Sequence, residues 1–390
     1  MDNIAIIVPS LKGGGAERVV ALLSKELSNS YNLYLIIFDE EDIKYSYGGS
    51  LINIGIKPNN NLLLKIINVL RRVIYIRRIK KELRIKATIS FLNSANIVNI
   101  LSKRADKVII SERSHLSKGK DSLLTKINKF TTKIFYNKAD QIVGISKGVA
   151  QDLIDNFGLN GEIVNYIYNP IETKKVREQS REPLFGDYAN YFTIVNVGRL
   201  SNAKGQWHLI RSLVHVKKIV KNIKLVILGQ GELASYLKKL VEDLNLQENV
   251  EFIGFDNNPF KYISKSDLFV FSSIYEGFGN VIIEAMACGV PVISTDCKSG
   301  PREIIAPKTG IELETNKIEY CEFGVLVPVC DGNYYNHSDP LTEEELILGE
   351  SIIEMYKNKD LRKSYSIKGE QRAESFIIDK VIKEWKQLLN

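Results

Sequence analysis

Short apolar runs alternate with stretches of helical periodicity, and the alternation happens twice along the chain. Residues 3–9 (NIAIIVP) form a continuous apolar run, followed by Gly13-Gly14-Gly15 and by Ala16 to Leu27, whose apolar residues recur at helical spacing. Strand, glycine turn and helix in that order open a doubly wound α/β domain. Further strand-like runs stand at 33–38, 87–92, 107–111 and 140–145, with helical stretches at 62–86, 95–103, 121–137 and 147–156. The pattern restarts at 192–197, 223–228, 250–253, 268–272 and 291–294, with helices expected at 205–220, 232–244, 258–265, 279–288, 343–357 and 360–387. The alternation of strand and helix predicts mostly parallel sheets covered on both faces. Two tandem Rossmann-like units are therefore expected, over 1–171 and 191–372. Residues 172–190 (ETKKVREQSREPLFGDYAN) are polar, lack periodicity and read as a linker, and 329–342 reads as a long surface loop.

Composition narrows the class. The 390 residues suffice for two domains with their own cores, and 44% hydrophobic with 25% charged residues is ordinary globular usage. Disordered, collagen-like and disulfide-scaffold chains are excluded. No run of ~18 uncharged apolar residues is present, so no transmembrane helix is expected. Met1 to Ser10 lack a basic leader and read as a first strand. The four cysteines, Cys288, Cys297, Cys321 and Cys330, match no metal spacing and are expected as free thiols of a reducing, cytoplasmic compartment. Charge is uneven. The net +7 divides into +10 over residues 1–190 and −3 over 191–390, and 61–133 alone carries 18 basic against 4 acidic side chains. Such a basic face suits an anionic partner: nucleic acid, a phosphorylated substrate or an anionic membrane.

Five motifs of the second half carry the candidate chemistry. Gly198-Arg199-Leu200 followed by Lys204-Gly205 places two cations, five residues apart, after a first strand, at the carboxyl edge where such sheets bind ligands. Two cations there suit a diphosphate; a solvated loop is the plain alternative. Leu228-Gly229-Gln230-Gly231 ends a strand in G-x-G, where the backbone can approach a ligand closely or simply turn tightly. Tyr275-Glu276-Gly277-Phe278-Gly279-Asn280 to Glu284 sets two carboxylates on one cleft, Glu276 from the loop and Glu284 from the second turn of the next helix. That helix start offers free N–H groups and a positive dipole end. Ala287-Cys288-Gly289-Val290-Pro291 is a helix stop. Ser299-Gly300-Pro301-Arg302-Glu303 opens another helix at the same edge.

The series GRL-x₃-KG, LG-x-G, E-x₇-E and ACG-x-PV resembles the retaining GT-B glycosyltransferases of family 4. The resemblance is strongest over 195–310. Gly13 to Arg18, with Gly300 to Glu303, looks like the members that build bacterial surface glycans such as lipopolysaccharide or capsule on polyprenyl lipids. The resemblance implies two Rossmann-like domains facing across a cleft, with the C-terminal helix, 373–390, crossing back to the first. It implies a nucleotide-sugar donor, here a UDP-sugar, and a polyprenyl-diphosphate-linked acceptor. Arg199 and Lys204 then match the pair that holds the donor diphosphate, Glu284 the residue on the ribose hydroxyls and Glu276 the contact to the transferred sugar. Phe278, Gly279 and Asn280 match the turn whose backbone meets phosphates and sugar. Gly229, Gly231 and the turn around Phe255 match positions near the base, and Gly14 and Gly15 the first-domain loop over the donor. No cofactor or metal is expected: there is no D-x-D tract at a strand end, Asp39 to Asp42 reads as a loose acidic turn, and cations with a helix dipole can stabilise the leaving diphosphate.

On the acceptor side, His115 in Ser111-Glu112-Arg113-Ser114-His115 suits the first-domain histidine that many relatives place at the reacting carbon, while Arg113 competes for that role. The segment 61–86 lays Leu62, Ile66, Val69, Val73 and Ile76 on one stripe, with Leu63, Ile67, Leu70 and Ile74 beside it. Eight cations are interleaved, Arg71, Arg72, Arg77 and Arg78 among them. It reads either as a domain helix with a solvated basic face or as a docking element for a lipid diphosphate or an anionic lipid surface, the cytoplasmic face of the inner membrane. Nothing resembles a nucleic-acid module. A GT-B epimerase and a non-catalytic sugar-nucleotide-binding subunit are the rival readings.

Overall fold

The apolar runs become the strands of two seven-stranded sheets in a computed structural model that describes residues 1–39, 42–57, 59, 61–118, 123–184, 188 and 190–390. The chain divides into a first unit, Met1–Pro170 with Ile378–Asn390, and a second, Ile171–Ile377. In the first unit β1 (Asn3–Val8), β2 (Asn32–Ile37), β3 (Ser50–Asn53), β4 (Ala87–Phe91), β5 (Lys107–Glu112), β6 (Gln141–Gly144) and β7 (Val164–Tyr166) lie in the order β3-β2-β1-β4-β5-β6-β7, all parallel. The second unit repeats this with β8 (Phe192–Val197), β9 (Ile223–Leu228), β10 (Val250–Gly254), β11 (Leu268–Phe271), β12 (Val292–Thr295), β13 (Glu319–Tyr320) and β14 (Val325–Val327). Its order is β10-β9-β8-β11-β12-β14-β13, with β13 antiparallel to β14. The central strands are buried over nearly their whole length, which is why apolar residues predominate in them. Strand order reverses beside β1 and beside β8, and the loops leaving the carboxyl ends there form the ligand edge of each sheet.

The structure departs from the pattern in several places. Strands β3, β7, β13 and β14 were not expected; they are two to four residues long, too short for periodicity to mark. The helix expected over 360–387 is two, Lys359–Ala373 and Ile378–Leu389, separated by a 3₁₀ turn at Glu374–Phe376. The stretch 172–190 is not wholly a linker. It contains the helix Thr173–Ser180, whose end is held by Asn258 Nδ2 donating to the Gln179 carbonyl (2.9 Å) and Ser264 Oγ to that of Ser180 (2.8 Å). Residues 185–187 and 189 of that stretch lie outside the described residues, as do Glu40 and Glu41 of the acidic turn, whose neighbour Asp39 is buried and paired with Lys12 at 2.9 Å. All four cysteines are free thiols, and burial pushes Cys288 up to about 12.

The last helix belongs to the first unit. Val381, Ile382 and Trp385 join the core formed by β1, β2 and β4, the Trp385 ring lies 5.7 Å from that of Phe91, and Lys386 Nζ donates to Ser30 Oγ at 2.7 Å. Trp385→Ala empties a core site, a change that costs about 3–5 kcal/mol. Amide hydrogen exchange in β1 and β4 is expected to accelerate by roughly two to three orders of magnitude, measured by mass spectrometry on the intact chain.

Candidate functional site

In the second unit, the loop leaving β8 is zipped to two neighbours. Towards β9, Gly198 N donates to Leu228 O (2.9 Å) and Leu200 N to Gln230 O (3.0 Å). The approach is so close that a Cβ on Gly229 would sit 1.9 Å from Gly198 O and one on Gly231 2.2 Å from Leu200 O. The G-x-G motif is thus a backbone-packing requirement. Towards β11, Ile274 N donates to Ala203 O (2.8 Å) and Ser272 Oγ to Lys204 O (2.9 Å). Gly205, at φ +59°, leaves room for the Ser272 carbonyl.

This contact brings Lys204 onto Glu276. Their side chains form an ion pair, both largely buried, and Ser273 Oγ adds a hydrogen bond to the same carboxylate oxygen at 3.3 Å. The Lys204 ammonium also lies 5.3 Å from the Phe271 ring centroid. Gly279 (φ +91°) caps the helix Asn280–Ala287, whose second turn carries Glu284, 6% exposed. Phe278 is buried against Phe376, ring centroids 5.7 Å apart, so its side chain holds the turn in place. Arg199 projects to solvent, 74% exposed and 3.4 Å from Glu232, and Phe255 is exposed at the end of β10.

The Gly300-Pro301-Arg302-Glu303 motif supports this turn from behind. Gly300 lies at φ +103°, and a Cβ there would come within 1.8 Å of Phe278 O. Glu303 accepts from Gly300 N at 3.3 Å, and Arg302 is buried between Asp296 (2.5 Å) and Glu319 (2.8 Å).

In the first unit, Gly14 caps the helix Gly15–Ser28 after β1, and the space about Gly15 is open. After β5, His115 Nδ1 lies 3.1 Å from Ser117 Oγ and 3.4 Å from Asp152. Arg113 bonds Ser111 Oγ (3.3 Å) and Asn169, its guanidinium 5.5 Å from the Phe91 ring. Glu112, missed from sequence as an anchor, holds this loop. Burial raises its carboxyl despite hydrogen bonds from Ser114 Oγ (2.9 Å), Arg113 N (2.9 Å) and Tyr136 OH (3.0 Å).

The basic helix, Leu62–Glu82, needs correction. Arg72 faces inward, its Nε and NH2 donating to Ile56 O (3.2 and 2.5 Å) and its guanidinium 4.4 Å from the Phe38 ring. Lys80 is also buried, paired with Asp106 at 2.8 Å; burial lowers its ammonium to about 8. The cations cannot all lie on one solvated face because the face 69-72-73-76-79-80 turns inward. Arg71, Arg77 and Arg78 are exposed, and so are Leu64, Ile66, Ile67, Leu70, Ile74 and Tyr75, 43–70% accessible. The side chains of Leu62 and Leu63 lie outside the described residues.

The segment 329–342 is a long surface loop without helix or strand, and it is pinned to the elements beneath it. Trp207 Nε1 donates to Asn333 O (2.7 Å), Arg211 to Asn336 O (2.6 Å) and Pro340 O (2.6 Å), and Tyr236 OH to Tyr335 O (3.0 Å). It brings Tyr334 to the site, where the phenol oxygen accepts from Asn202 Nδ2 at 3.3 Å, two residues from Lys204. No short motif in the sequence marks this residue.

Two family models match the chain: "Glycosyl transferases group 1" over residues 178–321 and "Glycosyltransferase Family 4" over residues 13–175. The chain belongs to this family and is a glycosyltransferase with the GT-B fold. It is 36% identical over 382 residues to an uncharacterized glycosyltransferase of Methanocaldococcus jannaschii, covering 94% of each chain. It is 33% identical over 388 residues, 98% of this chain and 97% of the relative, to the Campylobacter jejuni N-acetylgalactosamine-N,N'-diacetylbacillosaminyl-diphospho-undecaprenol 4-alpha-N-acetylgalactosaminyltransferase. Among solved structures, Anabaena HepE in complex with UDP superposes with a TM-score of 0.75 at 19% identity, over 100% of this chain and 99% of that one, a likeness of fold.

Gly300→Ala forces the Phe278 carbonyl to move and costs about 1–3 kcal/mol. Thermal unfolding is expected to shift downward, with turnover falling further than stability alone explains, because the displaced turn carries Glu276 and the start of the Glu284 helix.

Proposed function

We propose that the chain transfers a sugar, with retention of anomeric configuration, from a UDP-sugar to a polyprenyl-diphosphate-linked glycan of bacterial surface polysaccharide synthesis. The observation that carries this reading is the Lys204–Glu276 pair at the switch point of the second sheet, with Glu284 on the adjoining helix. Lys204, the exposed Arg199 and the N-terminus of the helix Asn280–Ala287 supply positive charge where the leaving diphosphate develops its own, so the reaction needs no metal. Glu276, held by Lys204 and Ser273, orients the transferred sugar, and Glu284 accepts from the ribose hydroxyls. Arg113 and His115, on the loop held by Glu112, are the candidates to serve the sugar from the first unit. The Campylobacter relative, whose name places its acceptor on diphospho-undecaprenol, and the UDP complex of HepE support this choice of substrates.

Glu276→Ala is expected to lower turnover ~10²–10³-fold while free UDP binds as before, whereas Glu284→Ala weakens UDP by about 1.5–3 kcal/mol. Radiolabel transfer to a lipid-linked acceptor and calorimetry check both, and transfer should persist in EDTA. Turnover abolished by EDTA and restored by Mn²⁺ or Mg²⁺ would contradict the metal-free mechanism.

The same reading places the enzyme peripherally on the cytoplasmic membrane face. No helix of the described residues is long and apolar enough to cross a membrane. The helix Leu62–Glu82 instead offers exposed apolar side chains interleaved with Arg71, Arg77 and Arg78. Each cation near an anionic surface contributes ~1 kcal/mol, screened by salt. Flotation with anionic vesicles should show binding that falls with salt and is absent on neutral vesicles. Changing Arg71, Arg77 and Arg78 to Gln should weaken it without unfolding the chain. Arg72 is left intact because it anchors Ile56.

A further inference from the structure

We propose that Tyr334 is a specificity-determining contact for the sugar ring of the donor. The inference rests on the donor reading above and extends it to a residue outside the family's motifs. Tyr334 comes from the segment between β14 and the helix Glu343–Lys357, yet its phenol oxygen meets Asn202 in the 3₁₀ turn Asn202–Lys204, between Arg199 and Lys204. The neighbouring Gly332, at φ +78°, packs against Ile274, where a Cβ would lie 3.1 Å from Ile274 Cδ1. Ile274 leads directly into Tyr275 and Glu276, so the segment is fitted to both loops that build the ion pair.

The ring is presented rigidly. It lies 4.9 Å from Trp207, tilted by 33°, and 5.3 Å from Tyr236 in an edge-on arrangement, yet Tyr334 remains 50% exposed. Fully buried groups hold the backbone beneath it. Trp207 and Arg211, both at 0% exposure on one helix, direct their donors to carbonyls of the segment, and Arg211 is itself fixed by Glu345 at 2.8 Å. Burial raises the Tyr275 hydroxyl, with Glu276, Glu232 and Tyr334 adding to the effect and Lys204 opposing it.

A flat ring that is half open, with its hydroxyl on the turn that ends in Lys204, matches a pyranose, which has a C–H face to lie on the ring and hydroxyls for the polar groups of that turn. The sugar is preferred to the nucleobase as the ring's partner because the phenol meets Asn202 in the turn between the two cations. The contact would therefore sense which hexose the donor carries and not which nucleoside.

The experiment compares calorimetric affinities for UDP and for a panel of UDP-hexoses and UDP-N-acetylhexosamines. Tyr334→Ala is expected to lower affinity for the preferred UDP-sugar about tenfold and to flatten the ranking across the panel, while UDP itself stays within about twofold. Tyr334→Phe should keep the wild-type ranking. Tyr334→Leu, which keeps apolar volume against Trp207, should behave like the alanine variant and guards against a folding defect. Equal loss of UDP and UDP-sugar would overturn the assignment, since the residue would then support only the diphosphate turn. An unchanged ranking, or an effect confined to the acceptor's KM, would overturn it as well. A wild-type chain that binds neither UDP nor any sugar of the panel would sink the donor reading and this inference together, an outcome distinct from failure at Tyr334 alone.

Discussion

The close contact between the loops leaving β8 and β11 governs the second unit. Two bonds to main-chain carbonyls and the Gly205 turn bring the chains together, and only then can Lys204 reach Glu276. A charge pair in a partly buried position needs good geometry, or desolvation outweighs its attraction. Ser273 supplies part of that geometry through its bond to the same carboxylate. The remaining features of the edge act on this contact from either side. Gly229 and Gly231 let the next loop press against Gly198 to Leu200, and Gly300 braces the Phe278 carbonyl so that the helix bearing Glu284 starts where it does.

Much of this was legible in the sequence, because glycines and charges at fixed offsets report local geometry. The E-x₇-E spacing placed one carboxylate in a loop and the other in the second turn of a helix, and the structure has both there. Glycine at 229 and 231 could be read as a close approach, though the object approached turned out to be the neighbouring backbone. What was not legible depends on partners remote in the chain. Arg72 and Lys80 looked like members of a solvated basic face, yet inside the unit the Ile56 carbonyl accepts from Arg72 and Asp106 pairs with Lys80, and no pattern within 61–86 contains that information. Tyr334 was hidden for the same reason, its anchors Trp207, Arg211 and Tyr236 belonging to other elements.

Fixed and adaptable charge are divided between the two cations of the GRL-x₃-KG motif. Lys204 is enclosed and paired, whereas Arg199 stands in solvent beside Glu232, with room to move. A guanidinium with that freedom can follow a diphosphate as its sugar changes, while the enclosed ammonium fixes the register. In the first unit the buried Glu112 plays a corresponding supporting part, ordering the Arg113-to-His115 loop through main-chain and side-chain donors.

The return of residues 378–390 to the first unit has a consequence for how the protein comes into being. Trp385 closes a core whose other walls, β1 and β4, emerge from the ribosome far earlier. At translation speeds of roughly 5–20 residues per second, the intervening Ile171–Ile377 occupies the ribosome for about 10–40 seconds. Throughout that interval the nascent first unit presents an uncovered apolar groove along Phe91 and its neighbours. Its completion therefore waits on residues made long after most of its sheet, and a chaperone that shields that groove would act on this protein at its N-terminal half.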